Sequence, residues 1–345
     1  MNRLFLHIGT HKTGTTTVQR FFDANRESVQ AQGYVYPQNS IGGLRDHYAH
    51  HRIAHAIAGR PDVGTPDDAQ RFFDALRSEL APGQSAVVSA EALYRHVATD
   101  PSGLGISTFD AGDGSAGDPL SFIRRVKDCI GDFDVTIMVM LRRQDLFLES
   151  LYAEQVMSSS YSANIGSFLE KRGWLADYEQ RLGMWAEVFG ENRISVRLFE
   201  PKAFGMPVEQ FFLTWLGGTW NDQLTRTPLY NATIPRSLVE FKRTLNNRQP
   251  RKVSTIYRRW LEQIAEQAKD GSLPDIGRYF LTYAERNALL EHHAETNRNL
   301  ARRYFDRDQL FTNTDTIEPY DDPTSLSNAS FKKITRQLMR FLADR

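Results

Sequence analysis

Short apolar runs, separated by stretches where apolar side chains return every third or fourth position, set the pattern of the N-terminal two thirds of the chain. Leu4-Phe5-Leu6-His7-Ile8, Tyr34-Val35-Tyr36, Ala86-Val87-Val88-Ser89, Val135 to Leu141 and Ile194 to Phe199 read as buried strands. Helical spacing covers Thr15 to Gln32, Asp67 to Leu80, Leu120 to Ile130, Asp145 to Met157 and Trp174 to Phe189, and Gly33 closes the first of these. Strands alternating with helices predict an α/β fold, a parallel sheet covered on both faces. After about residue 230 the strand signal stops, and helices are predicted over Ser237 to Asn246, Ser254 to Lys269, Tyr283 to Tyr304 and Lys332 to Leu342. The expected organisation is therefore a core over 1–230 and a helical C-terminal extension over 231–345 packed on it. The Gly/Ser/Asp-rich stretch from Pro101 to Pro119 reads as a loop.

At 345 residues the chain can bury a substantial core without staples. Its 42 basic and 42 acidic residues give a formal net charge of zero, so charge makes no case for nucleic acid or an anionic membrane as partner. Charged ligands must then be met by local clusters. The single cysteine, Cys129, excludes an intramolecular disulfide and a thiolate metal site and fits a reducing compartment. The apolar run after Met1-Asn2-Arg3 is too short for a signal peptide or a membrane span, so the expectation is a cytoplasmic protein without an integral membrane segment.

The most telling stretch is the first strand running through Gly9-Thr10-His11-Lys12-Thr13-Gly14 into Thr15-Thr16-Thr17 at the start of a helix. Backbone N–H groups at a helix N-terminus and the helix dipole favour an anion there, and the threonines add hydroxyl donors. The spacing Gly9-x4-Gly14 is that of a P-loop. The position after the second glycine, where a nucleotide-hydrolysing loop carries lysine beside Ser/Thr, holds Thr15, and the lysine stands earlier, at Lys12.

Lys12-Thr13-Gly14-Thr15-Thr16 resembles the 5′-phosphosulfate loop of sulfotransferases that use 3′-phosphoadenosine 5′-phosphosulfate. A second motif strengthens the likeness: the strand Val135 to Leu141 leads into Arg142-Arg143, and Ser150 follows Arg142 by eight residues on the next helix, with Tyr152 just beyond. In that family an arginine and a serine so spaced grip the donor's 3′-phosphate, and an arginine fork suits a phosphate dianion. The competing reading has Arg142 and Arg143 form surface ion pairs with Asp145 or Glu149. The stretch from Tyr178 to Glu200 and the C-terminal segment Asn297 to Phe311 are also similar to bacterial members. The Arg-Lys-Gly-rich closing loop of animal cytosolic members is not evident near the C-terminus; Arg251 with Lys252, or Lys332 with Lys333, are either its substitutes or, the preferred reading, members of a solvated face.

The resemblance implies a P-loop-like sulfotransferase that carries a sulfonate from this donor to an acceptor hydroxyl on a saccharide or glycolipid and releases adenosine 3′,5′-bisphosphate. Gly9, His11, Lys12, Thr13, Gly14, Thr15 and Thr16 would hold the phosphosulfate, and Arg142 and Ser150 the 3′-phosphate. Lys12 would also absorb charge on the leaving phosphate. The acceptor hydroxyl needs a base, a role that Glu or His fills across the family. Glu91, just past the third strand, is one candidate; His47 and His51, in the run His47, His50, His51 and His55 read as a helix, are the other. One of these histidines is expected to line the acceptor cleft and the rest to be exposed. No metal is expected, because no His-Glu-x-x-His pattern accompanies them. Tyr34, Tyr36, Trp174 and Trp220 either stack on sugar rings or belong to the core. Two rival classes remain: a P-loop kinase or NTPase, and a non-catalytic anion-binding homologue.

Overall fold

The computed structural model describes residues 2–38, 40–41, 44–45, 48–60, 62–96, 119–227, 234–247, 251–268, 271–312 and 319–343. The chain opens with β1 (Arg3–Gly9), α1 (Thr15–Ala24), α2 (Arg26–Gln30), β2 (Tyr34–Val35), β3 (Ser40–Ile41) and β4 (Leu44–Arg45). Next come α3 (His51–Ile57), α4 (Pro66–Glu79), β5 (Ser85–Ser89), α5 (Ala92–His96), α6 (Pro119–Ile130), β6 (Asp134–Leu141), α7 (Gln144–Ser158) and α8 (Ile165–Arg172). They are followed by α9 (Tyr178–Phe189), β7 (Ile194–Leu198), α10 (Pro201–Phe204) and α11 (Val208–Leu216). The remainder is helical: α12 (Arg236–Asn246), α13 (Arg251–Gln267), α14 (Tyr283–His292), α15 (Ala294–Phe305) and α16 (Asn328–Ala343). No helix among the described residues is long and apolar enough to cross a membrane. The stretch 101–118, read as a loop, lies outside the described residues.

Contacts group the chain into two compact units. The first comprises Met1–Arg142, Asp177–Tyr230 and Thr296–Thr312; the second comprises Arg143–Ala176, Asn231–Glu295 and Asn313–Arg345. The single boundary expected near residue 230 leaves 143–176 with the core, whereas the contacts group that segment with the C-terminal helices.

The first unit is built on a five-stranded sheet of order β2-β5-β1-β6-β7. Every pairing in it is parallel. β1 and β6 are buried along nearly their whole length, as strands covered on both faces must be. On one face Phe5, Val87, Met138 and Met140 pack with Val18, Phe21 and Phe22 of α1 and with Phe212, Leu213 and Leu216 of α11. Each such side chain contributes roughly 1.5–3 kcal/mol when fully buried. On the other face α9 packs against β6 and β7 and also meets α6. The chain leaves β1 toward β5 and β2 and returns on the opposite side as β6, so the carboxyl ends of β1 and β6 flank a switch point, where ligands of open α/β sheets bind.

All five expected strands form, and the α/β reading with a parallel sheet holds. Three expected helices are broken. The segment 15–32 becomes α1 and α2, because Asn25 leaves helical geometry and its side chain bonds the carbonyls of Phe21 and Thr225. The segment 174–189 starts as a 3₁₀ turn before α9, and 283–304 divides at His293. The histidine run is not one helix either: α3 begins at His51, and His50 precedes it as the cap. His47 lies outside the described residues. The aromatics Tyr34 and Trp220 pack on the α1/α11 core and Tyr36 lies within it, Trp220 stacked on Phe21 at 5.3 Å.

In the second unit α7 is central, touching α8, α12, α13 and α14. Asp145 and Glu149 on its first two turns are buried, and Arg286 of α14 binds both carboxylates. Arg143 makes a two-pronged bond to Asp145 at 2.7 and 2.9 Å, and Glu149 also accepts the N–H groups of Phe280 and Leu281. At its other end Lys242 donates to the carbonyls of Val156 and Ser159, a cation on a helix C-terminus.

Burial pushes His7 and His50 of the first unit down to about 4. His50 donates from Nε2 to the Pro37 carbonyl and accepts the Ser89 N–H at Nδ1, bonds that need the neutral ring. The unfolded chain takes up these protons near pH 6.5, so the stabilisation is complete above that pH and is lost as pH falls toward 4. Denaturation free energies measured between pH 7.5 and 4.5 should therefore decline on acidification. In His50→Gln the slope near pH 5 should shrink by roughly 1.4 kcal/mol per pH unit; an unchanged slope would mean that His50 is not held neutral.

Candidate active site

β1 ends at Gly9, and Thr10 fastens the turn to the neighbouring strand through its N–H and hydroxyl, both on the Met140 carbonyl at 3.1 and 3.0 Å. The chain then curls through two left-handed residues, Lys12 (φ 64°) and Gly14 (φ 77°), before α1 starts at Thr15. Thr13 donates its hydroxyl to the Thr10 carbonyl at 2.7 Å, which closes the curl. A side chain at position 14 would meet the Val208 methyls of α11 at 3.1 Å, and glycine also supplies no capping group, so the first-turn N–H groups are left for an anion. Arg142, at the end of β6, donates Nη1 to the Lys12 carbonyl at 3.0 Å. Its own carbonyl is held by the Tyr178 hydroxyl at 2.6 Å. Cation and anion loop thus meet at the switch point.

Glu91 lies two residues beyond β5 and is buried. Its Oε2 is 3.1 Å from His51 Nε2 and 3.0 Å from Gln19 Nε2. Burial alone would raise the carboxyl's pKa, but His51, His11 and a hydrogen bond from the Thr15 hydroxyl hold it well below the usual carboxylate range. Such a carboxylate is a weak proton acceptor and a strong orienting anion. With His51 donating from Nε2, the lone pair of a neutral ring is on Nδ1, a buried atom with no hydrogen-bond partner among the described residues.

The sequence-derived residues fall into three groups. Gly9, His11, Lys12, Thr13, Gly14, Thr15 and Thr16 form one loop and helix start with Arg142 bonded to it, and Glu91 with His51 stands against Thr15 and His11. Ser150 is on α7 in the second unit, half-buried. His50, expected among exposed histidines, is instead a satisfied core residue. Arg143 does pair with Asp145, but the pair is buried and not a surface one. Gln19, Ser89 and His7 were not anticipated: Ser89 Oγ lies 2.8 Å from His7 Nδ1 and 3.1 Å from Gln19 Nε2, behind Glu91. A buried glutamine within the apolar run of α1 was the available signal.

No protein-family model matches the chain. An uncharacterized protein of Archaeoglobus fulgidus is 30% identical over 189 residues, which is 53% of this chain and 50% of that protein, so the chain spans about half the length of that relative. The solved structure of a sulfotransferase from Alicyclobacillus acidocaldarius is similar with a TM-score of 0.38 at 14% identity, over 78% of this chain and 98% of that one.

Gly9 adopts φ 116°, and a Cβ there would stand 3.3 Å from both Cα and Cβ of Glu91. Gly9→Ala should therefore cost about 1–3 kcal/mol in urea denaturation, from backbone strain and the crowded carboxylate. A midpoint equal to that of the parent chain would show that neither constraint acts.

Proposed function

We propose that the chain is a sulfotransferase that moves the sulfonate of 3′-phosphoadenosine 5′-phosphosulfate to an acceptor hydroxyl, on a saccharide or glycolipid. The observation that carries this reading is the joining of an anion loop, through Thr15, to a Glu–His pair able to take a proton. The acceptor oxygen attacks sulfur, the bond from sulfur to the 5′-phosphate oxygen breaks, and the hydroxyl proton passes to Nδ1 of His51. Glu91 keeps its charge and orients the imidazole. Lys12 and the loop N–H groups stabilise the charge gathering on the departing 5′-phosphate. Gly9, His11, Thr13, Gly14, Thr15 and Thr16 shape that cradle, and Arg142 reads the 3′-phosphate. The lone cysteine fits a reducing, cytoplasmic setting.

The hydrogen bond of Thr15 to Glu91 favours a second reading, a magnesium-dependent NTPase in which that hydroxyl and carboxylate serve the metal. Against it, Glu91 Oε2 already receives His51 and Gln19, and no lysine adjoins Thr15.

Calorimetry separates the two. Adenosine 3′,5′-bisphosphate should bind far better than 5′-AMP with or without chelator. Arg142→Ala should weaken the bisphosphate roughly 10- to 100-fold and 5′-AMP only a few-fold, the latter through its loop bond. Equal losses, or a strict magnesium requirement with ATP consumed, would overturn the sulfotransferase reading.

The same assay assigns the base. His51→Ala should keep bisphosphate binding and lower turnover roughly 10²–10⁴-fold. Glu91→Gln should lower it less, since an amide oxygen still accepts the imidazole N–H. If Glu91→Gln proves the more damaging, the carboxylate itself takes the proton.

A further inference from the structure

Gln19 sits in the middle of α1 between Val18 and Phe21 and is 1% exposed. A buried primary amide must find acceptors for both hydrogens or lose, uncompensated, the hydrogen bonds it made to water. Gln19 Nε2 finds Glu91 Oε2 at 3.0 Å, Ser89 Oγ at 3.1 Å and, at 3.5 Å, the Ser89 carbonyl. Ser89 is itself fixed, its N–H on His50 Nδ1 and its hydroxyl against His7 Nδ1. The amide therefore spans a rigid strand end and the carboxylate oxygen that carries His51.

Thr15 stands one helical turn earlier on the same face of α1, and its hydroxyl also reaches Glu91. Two successive turns of the helix that begins at the anion loop thus hold one carboxylate, with His51 approaching the same oxygen as Gln19. If the amide were lost, Oε2 would keep the imidazole, and the carboxylate, held otherwise through the Thr15 hydroxyl, could turn about its terminal torsion, which is soft.

We propose that Gln19 is a positioning residue: its amide fixes the Glu91 carboxylate in the rotamer that orients His51, so that α1 sets the distance between the donor loop and the base. This rests on the Glu91–His51 pair being the base of the proposed transfer. Gln19 touches neither donor nor acceptor, and its effect passes wholly through Glu91.

Gln19→Met, of similar length and apolar, in the full chain provides the test. Three quantities are measured: calorimetric affinity for adenosine 3′,5′-bisphosphate, turnover at saturating donor, and the proton resonance of the His51 ring N–H, assigned by its loss in His51→Ala. The expected result is affinity within about threefold of the parent, turnover lower by about tenfold or more, equivalent to about 1.4 kcal/mol, and a displaced ring resonance. A purely structural glutamine would lower the melting temperature and leave the resonance of the folded protein where it was. A folded Gln19→Met with unchanged turnover and an unchanged resonance overturns the proposal. Should the parent chain transfer no sulfonate, the resonance decides alone: displaced, it upholds the positioning of His51 while the sulfotransferase reading falls; unmoved, it overturns the positioning too. If Gln19→Met does not fold, Gln19→Glu takes its place, with the same results deciding.

Discussion

Glu91 approaches the β1 backbone as closely as it does because position 9 carries no side chain, and the arrangement of the site depends on that approach. Sheet pairing sets β5 beside β1, and Gly9 then lets the residue beyond the end of β5 lean over the end of β1. The carboxylate so delivered falls against Thr15 and Gln19 on one side and His51 on the other. A larger residue at 9 would crowd Glu91 and push it, with His51, away from the loop. The carboxylate's low pKa follows from its neighbours, the imidazoles of His51 and His11 and the Thr15 hydroxyl, whose pull exceeds the cost of burial.

The two units handle buried charge differently. In the first, Glu91 is matched by neutral donors and imidazoles, an environment that a proton can alter. In the second, Asp145 and Glu149 are matched by two guanidinium groups and backbone N–H groups. Arginine does not give up its proton, so the cationic half of that network keeps its charge, while burial raises the pKa of the Glu149 carboxyl. Removing one partner there leaves an uncompensated buried charge, at a cost of about 3–5 kcal/mol. The helix bearing Ser150 is thereby held rigidly within its own unit, whereas the Glu91 cluster keeps a titratable member on its partly exposed side.

The sheet and the loop were legible because each strand is a short, nearly continuous apolar run and the Gly/Thr turn follows the first of them. Helix breaks were not, since apolar spacing carries on across Asn25 and His293 while the interruption comes from local bonds such as Asn25 to the Phe21 carbonyl. The hairpin of β3 and β4 has two residues per strand, too few for alternation to register. Glu91 was legible from its place after β5. Its pairing with His51 was not, because both the histidine run and the acid read as separate candidates until the backbone brought them together. Gln19 and Ser89 escaped for a related reason: their partners are 72 and 82 positions away in sequence, and nothing local marks a glutamine whose acceptor is that distant.

The shifted lysine shows how motif and backbone depend on each other. Lys12 is left-handed, which costs an ordinary side chain roughly 1–2 kcal/mol, and glycine would adopt the same geometry freely. A lysine there is carried by the curl itself and not by the helix that follows. Three contacts sustain the strained curl: the Thr13 hydroxyl on the Thr10 carbonyl, Thr10 on Met140, and Arg142 on the Lys12 carbonyl. Arg142 is in this way both a cation at the switch point and a prop for the loop.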